Sequence, residues 1–280
     1  MLLIATTGVS CIQAQQENQT TIVAEKVWES EPALTTSESV CFDIKRGILY
    51  VSCINGNPLE HDGNGFIAKV GPDGTIIESD WVTGLDAPKG MGIFNDLLYV
   101  TDIDRIAEVD ISGGKILRTW SIPESRFLND ISIDSKGGVF FSDMSTGKIH
   151  LLGNGVISTW IDAGNFRQPN GLLCQQRELL VGTAEGIYSV RYEDKRIWHL
   201  IAETGSIDGL VEAPENGFFI SDWAGKVQWV APDQSFVILF DTSGKGINAA
   251  DIEYNNAEGI LYVPNFAANK VTAWKISVVR

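Results

Sequence analysis

Four polar side chains lie at matching positions ahead of apolar segments, and their oxygen atoms could together bind a cation. Each precedes the end of its segment by 13 to 15 residues. The pairs are Glu38 with Cys53, Asn129 with Asp143, Asn170 with Thr183, and Asp208 with Asp222. Carboxylates held close together repel each other unless a positive charge lies between them. Because all the donors are oxygen atoms, the set favours a hard divalent ion such as Ca²⁺, Mg²⁺ or Mn²⁺.

Two further residues share this spacing. Lys89 precedes Asp102 by 13 residues, and Asp251 precedes Asn265 by 14. Lys89 is either a solvated charge or a contact for an anionic substrate. Taken singly, the Asn-Gly, Asp-Gly and Asn-Asp dipeptides at these positions are ordinary turn sequences. The metal-site hypothesis therefore depends on a fold that brings equivalent positions together.

Six apolar runs provide evidence for such a fold. They are LYVSC at 49–53, LYVTD at 98–102, VFFSD at 139–143, LLVGT at 179–183, FFISD at 218–222 and LYVPN at 261–265. Their last residues are 49, 41, 40, 39 and 43 residues apart. This near-constant interval indicates one supersecondary unit used six times.

Each unit carries signals for about four strands. A short strand and a turn precede the apolar run, and a third and a fourth strand often follow it. Repeats of about 40 residues with four antiparallel strands predict an all-β, six-bladed β-propeller. The last unit stops after its third strand, so the segment TTIVAEKVW at 20–28 is predicted to supply the outer strand and close the ring. Residues 20–280 then form one domain, and the first strand of each blade lines the central channel.

Composition narrows the range of partners. Asp and Glu number 36 against 21 Lys and Arg, which gives a net charge of −15. Such a surface disfavours binding to nucleic acid or to anionic membranes. We expect a monomer with a small-molecule substrate. Beyond the first 20 residues the cysteines are Cys41, Cys53 and Cys174; since their number is odd and no CxxC occurs, buried free thiols are expected.

The first 19 residues have the character of a secretory signal. Residues 2–11 are apolar or small, and a cleavage site is predicted near Ala14. The apolar part is too short to span a bilayer, so stable membrane insertion is not expected. This predicts a periplasmic or secreted protein. The alternatives are a disordered tail, or a lipid anchor on Cys11.

Four short motifs resemble those of a known family. ESVCFD, RFLND, QPNGLL and SIDGL, in this order, are similar to the inner-strand motifs of the gluconolactonase, regucalcin (senescence marker protein) and luciferin-regenerating enzyme family. The resemblance covers roughly residues 30–276 and implies a six-bladed propeller with one divalent metal ion near the channel mouth. Ca²⁺ is the first choice, with Mg²⁺, Mn²⁺ and Zn²⁺ as alternatives.

The resemblance also implies roles for individual residues. Glu38, Asn170 and Asp208 match the metal ligands, and Asp208 also matches the general base. Asn129 matches an asparagine that contacts substrate or a water on the metal. The substrate-binding arginine of the family stands two residues before this asparagine, whereas Arg126 stands three before Asn129 and Phe127 takes its place. Glu38 is followed by Ser-Val rather than Gly-Pro, so sugar-lactone specificity does not carry over directly.

Two functions remain open. The first is a metal-dependent hydrolase of a lactone or related ester, with Arg126, Lys89 and Asn129 as substrate contacts. No G-x-S-x-G motif occurs, and the histidines (His61, His150 and His199) fall at unmatched offsets, as expected for surface or loop residues. The second is a non-enzymatic propeller with a structural metal. In its favour, the sequence LDAPKGMGI in unit two resembles the NHL-type repeats of binding propellers. Loop 55–65, or the tryptophans Trp81, Trp120 and Trp223, could then bind a ligand or protein.

Overall fold

The computed structural model describes residues 21–279 and forms a six-bladed β-propeller. The described chain contains 24 strands in six four-stranded antiparallel sheets. Three single-turn 3₁₀ helices complete it, at Pro214–Asn216, Ser243–Lys245 and Phe266–Ala268. The predicted fold class is thus confirmed. The predicted signal sequence, its cleavage site near Ala14 and Cys11 lie outside the described residues.

The blades follow one another along the chain. Blade 1 consists of β2 (Ser37–Asp43), β3 (Ile48–Cys53), β4 (Gly65–Val70) and β5 (Ile76–Leu85). Blade 2 consists of β6 (Pro88–Phe94), β7 (Leu97–Asp102), β8 (Arg105–Asp110) and β9 (Lys115–Ser121). Blade 3 consists of β10 (Leu128–Ile133), β11 (Val139–Asp143), β12 (Lys148–Gly153) and β13 (Val156–Ile161).

The other three blades have the same order, except for the outer strand of the last. Blade 4 consists of β14 (Leu172–Cys174), β15 (Glu178–Thr183), β16 (Gly186–Arg191) and β17 (Ile197–Ala202). Blade 5 consists of β18 (Leu210–Glu212), β19 (Phe218–Asp222), β20 (Lys226–Val230) and β21 (Phe236–Asp241). Blade 6 consists of β22 (Glu253–Asn255), β23 (Ile260–Asn265), β24 (Lys270–Val279) and β1 (Thr21–Glu29).

The ring closes through β1, as the sequence predicts. β1 runs antiparallel to β24, with Thr21 opposite Val279 and Glu29 opposite Thr272. The two ends of the described chain therefore share one sheet, and blade 6 cannot separate from blade 1 without breaking this ladder. The pairing also covers the outer edge of β24, which would otherwise offer free backbone groups to another strand.

The apolar runs of the sequence are the second strands of the blades. They are buried on both faces between neighbouring sheets, which explains their nearly continuous hydrophobic character. Aromatic pairs join neighbouring sheets, for example Phe219 of blade 5 and Tyr254 of blade 6, with ring centroids 5.0 Å apart. Cys41 and Cys53 are buried free thiols, and Cys174 is a partly buried one.

The aspartates that end several runs have a structural role. Asp102 is fully buried, and its carboxylate accepts hydrogen bonds from the backbone N–H groups of Asp86 and Ala87, just before β6. Asp143 likewise accepts a hydrogen bond from the Ser125 hydroxyl, just before β10. These carboxylates tie the loop that enters a blade to the end of its second strand. Among residues 21–279, no helix is long and apolar enough to cross a membrane.

Candidate metal and substrate site

Five of the residues singled out in the sequence meet at one end of the central channel. Glu38, Lys89 and Asn129 are the second residues of β2, β6 and β10, and Asn170 and Asp208 come two residues before β14 and β18. All five line one cavity of about 400 Å³. The rotational pseudo-symmetry of the propeller therefore brings together side chains that are up to 170 residues apart in the chain.

Glycines next to these residues allow the inner strands to approach each other. A Cβ atom on Gly171 would lie 2.6 Å from the carbonyl oxygen of Asp208, and one on Gly209 would lie 2.5 Å from the backbone nitrogen of Ile252. Neither glycine has a positive φ. The Asn-Gly and Asp-Gly pairs are thus not turns here. The glycine lets the next inner strand pack close, and the residue before it contributes its side chain to the cavity.

The polar floor of the cavity is almost inaccessible to solvent. Glu38, Asn129, Asn170 and Asp208 are each 4–8% exposed. Asn170 Nδ2 donates a hydrogen bond of 2.8 Å to Asp208 Oδ1. Glu38 Oε2 and Asn170 Oδ1 are buried without a hydrogen-bond partner. Buried acceptors without partners are costly, and these two, on one cavity floor, are atoms that could hold a cation.

The electrostatics of the floor agree with this. Burial, followed by the charges of Asp208 and Asp251, raises the pKa of Glu38 well above its ordinary value, although Lys89 acts in the opposite direction. Burial and Asp251 also raise the pKa of Asp208 to about 8, although the Asn170 hydrogen bond lowers it. A divalent cation between these groups would favour their charged forms.

Lys89 lies inside the cavity rather than in solvent. Its side chain is 1% exposed, which rules out the solvated-charge interpretation. The ammonium donates to the carbonyl oxygens of Ala87 at 2.9 Å and Pro58 at 3.2 Å, and it lies 4.8 Å from the centroid of the Phe127 ring. Burial lowers its pKa to about 8.

Arg126 does not reach the cavity. Its Nη1 donates to the backbone carbonyl oxygens of Pro123 and Ser125, both at 2.7 Å, and the residue is exposed. Phe127 lines the cavity in its place.

Asp251 lies one layer deeper in the channel than its spacing suggested. Ala250, not Asp251, is level with Asp208, since Ala250 N bonds to Pro264 O as Asp208 N bonds to Ser221 O. Asp251 instead accepts a 2.6 Å hydrogen bond from the Ser39 hydroxyl. The distance from the polar residue to the end of its apolar run varies between 13 and 15 residues. Spacing alone therefore could not reveal that Asp251 is shifted by one residue.

Sequence reasoning missed most of the apolar residues around the cavity. Four of them directly follow the end of an apolar run: Ile54, Met144, Trp223 and Phe266. Trp223, one of the tryptophans singled out in the sequence, lines the cavity and is 43% exposed, whereas Trp81 is buried in the core. His150 was also misplaced, because it is buried on β12 and stacks on Phe141 with centroids 5.2 Å apart. The sequence did contain a signal for these residues, because an apolar residue directly follows the end of most of the six apolar runs.

A second cavity, of about 720 Å³, opens at the other end of the channel. Its lining includes four carboxylates on or beside inner strands, those of Asp130, Glu212, Asp251 and Glu253. Burial raises the pKa of Glu253 from 4.5 to about 7, although hydrogen bonds from the backbone lower it. Within residues 21–279, no group of three or more His, Cys, Asp or Glu side chains is placed to hold a metal ion. A metal site anywhere among the described residues would therefore need other ligands as well, such as amide oxygens.

Glu253 gives a stability prediction that is independent of any ligand. A folded-state pKa raised from 4.5 to about 7 means that its stabilising contribution is complete below pH 4.5 and is lost as pH rises to 7. The Glu253→Gln variant has no carboxyl group at this position, so its stability does not fall in this way as pH rises. The wild type should therefore become less stable relative to the variant by about 3 kcal/mol between pH 4.5 and 8. Urea unfolding of both proteins across this range, with EDTA present, measures the difference. Parallel pH profiles would contradict it.

Comparison with known proteins supports the fold. No family model matches the sequence, and no curated protein matches it either. Solved structures do match. A gluconolactonase from Xanthomonas campestris superposes with a TM-score of 0.67 at 16% identity, over 87% of this chain and 86% of that one. A streptogramin B lyase gives 0.65 at 12% identity, over 93% and 98%.

A third solved structure is a catalytically inactive histidine-to-alanine variant of virginiamycin B lyase from Staphylococcus aureus, with quinupristin. It gives a TM-score of 0.60 at 14% identity, over 92% of this chain and 99% of that one. The protein thus has the fold of gluconolactonases and of streptogramin lyases. At these identities the likeness concerns the fold, and the function has to be argued from the site.

Proposed function

We propose that this protein is a divalent-metal-dependent lactone hydrolase, with Glu38, Asn170 and Asp208 as the metal ligands. One observation carries the proposal. Two buried carboxylates and two buried carboxamides converge at the base of a cavity, and two of their oxygen atoms, Glu38 Oε2 and Asn170 Oδ1, have no hydrogen-bond partner.

The donor set fits a hard cation. Two carboxylates balance the charge of one divalent ion, and amide oxygens complete an all-oxygen set without a thiolate or imidazole. We therefore propose Ca²⁺ first, with Mg²⁺, Mn²⁺ and Zn²⁺ as alternatives. Such an ion would polarise the lactone carbonyl and stabilise negative charge on its oxygen.

The residues of the chain then have separate tasks. Asp208 accepts a proton from the attacking water and returns it to the ring oxygen as the ring carbon–oxygen bond breaks. Asn129 lies beside the ligands on the cavity floor and orients the substrate. Lys89, the one cationic side chain among the residues that line this cavity, offers its third N–H to the substrate. Arg126 takes no part in this substrate binding, because its guanidinium is held by backbone carbonyls.

The histidines favour a hydrolase over a lyase of the virginiamycin type. The inactive lyase variant has lost a histidine. In this chain none of the three histidines lines the cavity. His61 is on an exposed loop beside Asp86, His150 is buried within blade 3, and His199 is on the outer strand β17. The gluconolactonase comparison supports the same choice at the level of the fold.

Removing the metal tests the proposal. Protein dialysed against EDTA should lose hydrolysis of lactones in a pH-indicator assay, and CaCl₂ should restore it. A concentration 100-fold above Kd should raise Tm by about 5–10 °C, since binding to the folded state stabilises it by about 2.7 kcal/mol. NaCl at equal ionic strength is the control.

Two results would count against the proposal. Hydrolysis that is unaffected by EDTA would exclude a metal-dependent mechanism. A rise in Tm with CaCl₂, without turnover of any lactone or aryl ester, would instead favour the NHL-like binding protein with a structural metal.

A further inference from the structure

The walls of the candidate site are apolar, in contrast to its floor. Above the floor the cavity is lined by Ile54, Pro58, Phe127, Met144, Trp223 and Phe266. Most belong to the loops that follow the second strands. Different blades contribute them, so they surround the opening rather than forming one side of it.

Trp223 and Phe266 form an aromatic pair at the mouth. Their ring centroids are 4.7 Å apart with an interplanar angle of 67°. Trp223 is 43% exposed, although most large apolar side chains of the described chain are buried. Its backbone carbonyl accepts a 3.0 Å hydrogen bond from Asn248 Nδ2, which fixes the loop. An exposed indole at the opening of a cavity is typical of a surface that an apolar ligand covers.

Hydrogen-bonding groups on the walls are few. The Lys89 ammonium is already bound to two carbonyl oxygens, and Arg126 is turned to the backbone. Asn129 Nδ2 faces the sulfur of Met144 at 4.0 Å. Gln168 and Ser206 are the remaining polar side chains of the lining. A ring with several hydroxyl groups would lose hydrogen bonds to water here without finding enough partners.

We propose that the cavity accepts lactones with an alkyl or aryl substituent and discriminates against polyhydroxylated sugar lactones. The carbonyl lies on the polar floor, and the substituent lies against Trp223, Phe266 and Met144. A volume of about 400 Å³ falls within the range of small-ligand sites. For turnover, this inference rests on the proposed function: water adds to the carbonyl carbon, the ring carbon–oxygen bond breaks, and a hydroxy acid is the only product.

A homologous series tests it. kcat/KM is measured with CaCl₂ for γ-butyrolactone, γ-hexalactone and γ-octalactone, and for D-gluconolactone. We expect an increase of about threefold for each added carbon, since each buried methylene favours binding by up to about fourfold. Gluconolactone should be the poorest substrate. Trp223→Ser should flatten the series, so that kcat/KM no longer rises with chain length. The matched control is Trp198→Ser, because Trp198 is on the outer strand β17 and does not line this cavity.

Binding separates this inference from the proposed function. The matching alkyl γ-lactams resist hydrolysis, and calorimetry with the wild type gives their affinities. Affinity that rises with chain length supports the apolar site even if no lactone is hydrolysed, in which case only the proposed function fails. Affinity independent of chain length, or turnover of gluconolactone faster than γ-octalactone, would overturn the inference.

Discussion

Asp208→Asn is expected to lower kcat for lactone hydrolysis by about a thousandfold while the propeller stays folded. A general base contributes typically a hundredfold to ten-thousandfold, and an amide cannot accept the proton. Asparagine retains an oxygen for the cation and a partner for Asn170, so the change affects proton transfer more than architecture. Single-turnover rates with saturating CaCl₂ measure the effect.

Stability distinguishes a catalytic from a structural effect of this substitution. The pKa of Asp208 is raised to about 8, so its contribution to stability is complete below pH 3.8 and is lost as pH rises to 8. Without metal, Asp208→Asn should therefore be more stable than the wild type at pH 8. Asp233→Asn is the matched control, since Asp233 is an exposed turn residue in the same blade. An active Asp208→Asn enzyme would remove Asp208 from the mechanism.

Glu38→Gln is expected to weaken the binding of Ca²⁺ by a hundredfold or more. The substitution removes one of the two negative charges on the cavity floor and leaves the shape of the side chain nearly unchanged. Ligand charge is a main determinant of calcium affinity. Glu38 Oε2 has no hydrogen-bond partner in the protein, so the substitution breaks no hydrogen bond at this atom. Calorimetric titration with CaCl₂ measures the loss.

The control for Glu38 is another glutamate of an inner strand. Glu212 ends β18, lines the cavity at the other end of the channel and is exposed. Glu212→Gln should leave calcium affinity within about twofold of the wild type. Equal affinities of Glu38→Gln and wild type would show that any ion binds elsewhere.

The repeat carried most of the fold prediction. A strand buried on both faces must be apolar throughout, so the second strand of each blade leaves a run that recurs at the length of one blade. The incomplete last unit and the alternating segment at 20–28 predicted the closing strand, which the ladder of β1 with β24 confirms. These patterns are local, so they can be recognised in the sequence without knowledge of any long-range contact.

The site was harder to predict at the level of single residues. Spacing placed Glu38, Asn129, Asn170 and Asp208 on one end of the channel, but it could not tell Asp251 from Ala250. A one-residue shift in a strand turns the side chain away. Spacing also could not show which way a loop side chain points, so Arg126 was included and Met144 was not.

The sequence by itself determined how many blades there are and how the ring closes, because both follow from periodic local patterns. Only the tertiary structure decided which side chains face the cavity, that Lys89 is buried beside Phe127, and that apolar walls rise above a polar floor. The physical reason is that burial and direction depend on neighbouring blades, whose loops meet at the axis only after the ring has closed.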